Sequence, residues 1–200
     1  MTDLFNEKAK DWDASEMRKA LSSAIGSSIL ENVYLHDQMS VMDFGAGTRL
    51  ISSQVAPMVK KIVAVDISEA MLNKLVSKPE LHGKVEVVCQ DIIHKSISEK
   101  FDLIMSAMAM HHVKDTKRLI QRFSEHLRPR GIIALADLDK EDGSFHPEGT
   151  EGIFHLGFKR NELQIILEKY GFSQIRFFTA HKVFKEGKNY PIFLVTATKN

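Results

Sequence analysis

The chain has 200 residues, is 44% hydrophobic and contains 5 prolines and 11 glycines, which fits one folded domain with a substantial core and excludes a disordered protein. Lysine plus arginine (27) nearly balances aspartate plus glutamate (26), and no arginine-rich stripe is present. We therefore expect a small-molecule partner and no nucleic acid. One cysteine, Cys89, excludes a disulfide framework and a multi-cysteine zinc site.

The polar N-terminus and the apolar runs of the chain predict a cytoplasmic protein. No run approaches the ~20 apolar residues that a membrane-spanning helix needs, so we expect no membrane association. A lone cysteine also suits a reducing compartment. Cys89 lies in the apolar run "VEVVCQ" and is predicted to be a buried strand residue.

Residues 15–35 predict one helix, which Gly26 can break, because their apolar side chains recur at helical spacing: Met17, Leu21, Ala24, Ile25, Ile29 and Val33. After this helix, short apolar runs alternate with amphipathic stretches, the pattern of βαβ units around a parallel sheet. We therefore expect a single domain over residues 1–200, with an N-terminal helical segment (1–35) and an α/β core (36–200).

The second half of the chain predicts two more helices and a terminal hairpin. Asp115 is placed to cap "TKRLIQRFSEHL", which Pro129 and Gly131 end, and Gly171 closes the helix "KRNELQIILEKYG". "KEGKNY" is too short for a crossover helix, so the last two strands must pair antiparallel. The irregular segment 139–157 is long enough to predict a loop that faces a ligand.

A glycine turn follows the first strand, in "VMDFGAGTRL" (41–50). A parallel strand that ends in Gly-x-Gly lets the backbone approach a ligand closely. A dinucleotide site needs a third glycine, where this chain has Leu50. The competing pattern, acid-x-Gly-x-Gly, is met by Asp43, Gly45 and Gly47.

Two further acids end the next two strands. Asp66 closes "KIVAVD", where a carboxylate can accept hydrogen bonds from a ribose diol, and Asp91 closes "VEVVCQD", beside the place of an adenine. Ligands bind at the carboxyl ends of the strands in an open α/β sheet. At this point the sequence resembles the class I S-adenosylmethionine-dependent methyltransferases over nearly its whole length, in the order "VMDFGAGT", "AVDISEAML", "CQDI", "FDLIMSAMAMHHV", "HLRPRGIIALAD" and the hairpin.

The resemblance implies a doubly wound α/β sheet of seven strands, six parallel and the last antiparallel, and S-adenosylmethionine as the cofactor. It implies that Asp43, Gly45 and Gly47 surround the methionine moiety and that Asp66 holds the ribose hydroxyls. The adenine would then lie against Ile67 and be read by Asp91 and the backbone of Ile92, with Ser106 under the sulfonium. It also brings Phe5 and Trp12 to the site, unless these aromatic residues are core residues.

Histidines are the candidate proton acceptors, because methyl transfer mainly needs positioning, exclusion of water and, for some acceptors, removal of a proton near neutral pH. Our order of preference is His146, His112, His155. A metal site at the pair His111–His112 is not expected. A magnesium site built from Asp115, Asp137 and Asp139 lacks its motif, so most of these acids are expected to be helix caps or solvated.

The segment "SAMAMHH" after the fourth strand lacks the Asn/Asp-Pro-Pro-aromatic run of amine methyltransferases, which argues against exocyclic amine acceptors. Its methionines and alanines predict either an apolar wall or core filling.

Arg49 departs from the resembling family, which usually has a third glycine there. It can point to solvent, pair with the cofactor's carboxylate, or repel the sulfonium. This departure leaves a non-catalytic S-adenosylmethionine-binding protein as the main alternative to an enzyme, ahead of a nicotinamide oxidoreductase.

Overall fold

Strands and helices alternate along the chain in the computed structural model, which describes residues 15–47, 51–77, 81 and 83–200. The α-helices are α1 (Glu16–Asn32), α2 (Ser52–Val55), α3 (Glu69–Val76), α4 (Thr116–His126) and α5 (Arg160–Lys169). The strands are β1 (Ser40–Phe44), β2 (Lys61–Asp66), β3 (Val85–Cys89), β4 (Phe101–Ala107), β5 (Leu127–Leu138), β6 (Phe172–Lys185) and β7 (Lys188–Lys199).

The strands form one seven-stranded sheet in the order β3-β2-β1-β4-β5-β7-β6. Neighbouring strands in the part β3-β2-β1-β4-β5 pair in parallel, and β7 pairs antiparallel with both β5 and β6. The predicted doubly wound α/β fold with an antiparallel hairpin strand is confirmed. The chain reverses its direction of travel across the sheet between β1 and β4, and such switch points open the crevice in which ligands bind.

Both faces of the sheet are buried, which is why its central strands read as continuous apolar runs. Val41 and Met42 are adjacent on β1 and fully buried, yet they belong to the two clusters on opposite faces. The helices cover these faces. No helix in the described ranges is long and apolar enough to span a membrane.

Side-chain caps begin three of the helices. Ser15 caps α1, Ser68 caps α3, and Asp115 accepts the amide of Arg118 at 2.9 Å as the cap of α4, as predicted. The possible break at Gly26 is not observed, because α1 continues through it. A Cβ there would lie 2.4 Å from the Gln54 side chain, so this glycine makes room for a neighbour instead.

The prediction that Cys89 is buried is wrong. Cys89 does lie on a strand, but β3 is the outer strand of the sheet and its residues are half-buried or exposed. The apolar residues around Cys89 therefore predicted the strand correctly but predicted the burial of Cys89 incorrectly.

Candidate active site

The carboxyl ends of the central strands open onto a cavity of about 1970 Å³. Its walls include the glycine turn after β1, Asp66 at the end of β2, Asp91 after β3, and much of the loop 139–157. The loop that was predicted to face a ligand therefore lines this cavity. We call the part around Asp43, Asp66 and Asp91 the acidic end.

Asp43 lies at the bottom of the acidic end and is only 3% exposed. The hydroxyl of Ser52, at the start of α2, donates to its Oδ2 over 2.5 Å. Burial and, to a smaller extent, the nearby Asp66 carboxylate raise the pKa of Asp43 to about 7, against the opposing hydrogen bond from Ser52. A cation that enters the cavity would therefore stabilise the ionised carboxylate of Asp43.

Asp66 fixes the glycine turn to the end of β2. Its Oδ2 accepts the amide of Gly47 and its Oδ1 the amide of Ser68, both at 2.9 Å. The amides of Gly45 and Ala46 donate to the carbonyl of Val65, at 2.8 and 3.3 Å. In the described part of the turn, residues 45–47, all three amides therefore have partners within the chain, unlike the free amides of a phosphate cradle.

Gly45 and Gly47 both have left-handed backbones, with φ of +66° and +54°. A Cβ at Gly45 would lie 2.4 Å from the Cβ of Ala109, which follows β4. The turn therefore requires glycine for its conformation and also for contact with the neighbouring strand end.

The remaining predicted cofactor residues differ in how far they are exposed to the cavity. Ile67 is 57% exposed and lines the cavity, while Asp91 lines it and accepts the amide of Ile93 at 2.8 Å. The side chain of Ile92 is fully buried in the core, so only its backbone is available to a ligand. Ser106 lies on β4 opposite Phe44, and its buried hydroxyl has no hydrogen-bond partner among the described residues.

Three imidazoles meet across the switch point, where the 3₁₀ turn after β4 approaches the loop 139–157. The ring of His111 lies 4.1 Å from that of His112 and 5.1 Å from that of His146, between centroids. Two of the three predicted proton acceptors are thus in one cluster.

His111 is held most firmly of these imidazoles, although it was not among the predicted proton acceptors. Its Nδ1 lies 2.7 Å from Oδ1 of Asp137, and the Asp137 carboxylate also accepts the amides of His111 and Leu138. The aspartate is fully buried. Since a carboxylate accepts, Nδ1 of His111 carries a proton, which fixes the orientation of the ring. The available signal was that His111 follows β4 and that Asp137 lies near the end of β5, the strand that pairs with β4.

His112 and His146 are neutral near pH 7. Burial, together with the neighbouring His111, lowers the pKa of each to about 4. Nδ1 of His112 donates to the carbonyl of Gly152 over 2.8 Å. Nε2 of His146 is buried and has no hydrogen-bond partner in the described part of the chain, so its hydrogen-bonding capacity is unused there.

His155 lines the same cavity but serves the framework. Its Nε2 lies 3.0 Å from the carbonyl of Val113 and 3.1 Å from the hydroxyl of Thr116. A carbonyl only accepts, so this nitrogen is the donor and holds the loop to the start of α4.

The three acids considered for magnesium have other partners. Asp115 caps α4, Asp137 holds His111, and Asp139 forms a two-point ion pair with Arg160 at 2.7 and 2.8 Å. Within residues 15–47, 51–77, 81 and 83–200, no three His, Cys, Asp or Glu side chains are grouped to hold a metal ion.

The segment "SAMAMHH" contributes residues both to the hydrophobic core and to the wall of the cavity. Met105 and Met110 are fully buried, whereas Met108 lines the cavity between Ala107 and Ala109. The predictions for Arg49, Leu50, Phe5 and Trp12 lie outside the described residues.

Residues 42–135 match the family model described as a methyltransferase domain. This chain contains a methyltransferase domain. The matched segment begins inside β1 and ends inside β5, so it includes the glycine turn, the three acids and the His111–His112 pair. The resemblance to the class I S-adenosylmethionine-dependent methyltransferases is thereby confirmed.

Individual relatives agree with this assignment. An uncharacterized methyltransferase of Schizosaccharomyces pombe is 31% identical over 139 residues, covering 64% of this chain and 49% of the relative. A malonyl-[acyl-carrier protein] O-methyltransferase of Priestia megaterium is 26% identical over 135 residues, covering 66% and 48%. The crystal structure of a SAM-dependent methyltransferase from Aquifex aeolicus shares the fold, with a TM-score of 0.71, 23% identity and 98% coverage of both chains.

The match covers only about half of the length of these two curated relatives, 49% and 48%. The organisation of this chain as a single domain over residues 1–200 therefore stays a prediction.

Proposed function

We propose that this chain transfers a methyl group from S-adenosylmethionine to a small-molecule acceptor. The observation that carries the proposal is the division of the cavity at the switch point. Three acids from the ends of β1, β2 and β3 lie on one side, and an imidazole cluster after β4 lies on the other.

The acidic end suits the cofactor in shape and charge. Asp66 would hold the ribose hydroxyls and Ile67 would pack on one face of the adenine, with Asp91 and the backbone of Ile92 at its edge. Asp43, Gly45 and Gly47 would surround the methionine part, and the unpartnered hydroxyl of Ser106 would lie under the sulfonium. When bound, S-adenosylmethionine supplies a methyl group that its positive sulfur already activates.

The chain's own residues then position the acceptor and exclude water. The acceptor atom attacks the methyl carbon in line as the carbon–sulfur bond breaks, and the electron pair of that bond stays on sulfur. Where the acceptor carries a proton, Nε2 of His146 is our first choice to receive it, followed by His112. His155 falls behind both because its nitrogen already donates to Val113.

The alternatives make different predictions for one experiment. The chain is incubated with methyl-labelled S-adenosylmethionine and a metabolite extract, and products are separated by mass. We expect label in a small molecule, and much less label with the Asp66→Ala variant. Cofactor binding without transferred label would support the non-catalytic binding protein instead.

A further inference from the structure

Five lysines line the cavity on the far side of the imidazole cluster, a region that we call the basic end: Lys114, Lys117, Lys140, Lys159 and Lys185. They come from the start of α4, the segment after β5, the start of α5 and the end of β6. The acidic and basic ends therefore follow strands on opposite sides of the switch point.

Three of the five lysines have no acidic partner among the described residues, while Lys185 pairs with Glu186 at 3.7 Å. Lys114, Lys117 and Lys140 form no side-chain hydrogen bond or ion pair in the part of the chain that the structure describes. Two acids line the same region, and both are engaged: Asp115 caps α4, and Glu162 pairs with Lys159 at 2.8 Å. The whole chain has a net charge of only +1, so the basic end is a local feature.

The first turns of α4 and α5 also border the basic end, through Thr116 and Leu163 among others. The positive ends of their helix dipoles add to the potential that the lysines create. A cavity with one sign of charge and low-dielectric walls concentrates ligands of the opposite sign.

An apolar surface lies beside this charge. Phe154 and Leu156 line the cavity although they are 53% and 39% exposed, and the half-buried Ile153 lies next to them. Exposed apolar side chains around a cavity are typical of a ligand surface.

We propose that the methyl acceptor is an anionic small molecule with an apolar body. Its carboxylate or phosphate group lies among Lys114, Lys117 and Lys140, and its apolar body packs on Phe154 and Leu156. This assignment rests on the proposed function, because it takes the acidic end to be filled by the cofactor.

Four probes with one apolar body test the proposal: 3-phenylpropionate, 3-phenylpropyl phosphate, 3-phenylpropionamide and 3-phenylpropylammonium. Their binding is measured by calorimetry with S-adenosylhomocysteine at saturation. We expect at least one anion to bind about tenfold or more tightly than the amide, and the ammonium to bind least. The better of the two anions then indicates carboxylate or phosphate.

The Lys114→Gln/Lys140→Gln double variant should lose this anion preference and keep its affinity for the amide. Lys182→Gln is the matched control, since Lys182 is exposed on β6 and does not line the cavity. Equal binding of anions and amide, no binding of either anion, or an unchanged preference in the double variant would overturn the proposal. Failure of S-adenosylhomocysteine itself to bind would instead contradict the proposed function.

Discussion

The carboxylate of Asp66 joins the glycine turn to the start of α3 through the amides of Gly47 and Ser68. A ribose diol would add two hydrogen bonds to the same charge, each worth about 1.5–3 kcal/mol. Asp66→Ala should therefore weaken S-adenosylhomocysteine binding by about tenfold or more in calorimetry. The control is Asp142→Ala, an exposed acid paired with Lys188 outside the cavity, and equal affinities in both variants would place the cofactor elsewhere.

Asp43 predicts a specific dependence of stability on pH. Its pKa is about 7 in the folded chain against a model-compound value of 3.8, so the folded state holds the proton more tightly. This contribution to stability is complete below pH 3.8 and is lost as the pH rises through about 7, by about 1.4 kcal/mol per pH unit between the two values.

The Asp43→Asn variant has no such titration. In thermal unfolding without cofactor, the stability of the variant relative to that of the wild type should rise from about pH 4 to about pH 7. Above about pH 7 the difference between the two proteins should stay constant. A difference that does not change with pH would mean that Asp43 is ionised in the folded chain throughout.

Variants of His146 and His155 should distinguish a ligand-binding imidazole from a structural one. His146→Ala removes a buried nitrogen that has no partner in the described residues, so it should lower label transfer while affinity for S-adenosylhomocysteine changes by less than about twofold. His155→Ala removes the donor to Val113 and should cost about 1–3 kcal/mol in the free energy of unfolding. The reverse pattern would exchange the two roles.

The glycine turn, as an element, combines a left-handed backbone with a close contact to the strand end beside it. Gly45→Ala should displace the turn from Ala109 and weaken S-adenosylhomocysteine binding as well as stability. Gly171→Ala is the control, because φ is +85° there and nothing lies within 4 Å of the added Cβ. It should cost about 1–2 kcal/mol of stability through backbone strain alone and leave the affinity unchanged.

The elements were predictable where the signal is local. Asp115, Gly171 and the short "KEGKNY" connection each act within a few residues, and each prediction held. The errors come from tertiary context. Gly26 was considered a possible helix break because its neighbour in the fold, Gln54, is distant in sequence. Pro129 and Gly131 were predicted to end the helix α4, but this helix already ends at His126, and both residues lie within β5, which pairs with β4.

Across the whole molecule, the order of parallel strands explains why part of the site could be predicted. Asp43, Asp66 and Asp91 each end a parallel strand, and such ends meet on one edge of the sheet. The His111–Asp137 pair depends on the register of β4 against β5, in which Ala107 faces Ala136, and no local pattern encodes that register. The basic end likewise draws lysines from four separate segments, which only the folded chain brings together.

The most direct test of the account is calorimetry of the wild-type chain against S-adenosylmethionine and NAD. The acidic end lies beside the switch point, and the amides of residues 45–47 donate to Val65 and Asp66 and are not free to bind a pyrophosphate. We predict binding of S-adenosylmethionine at one site per chain and no binding of NAD. Binding of NAD without binding of S-adenosylmethionine would contradict the account.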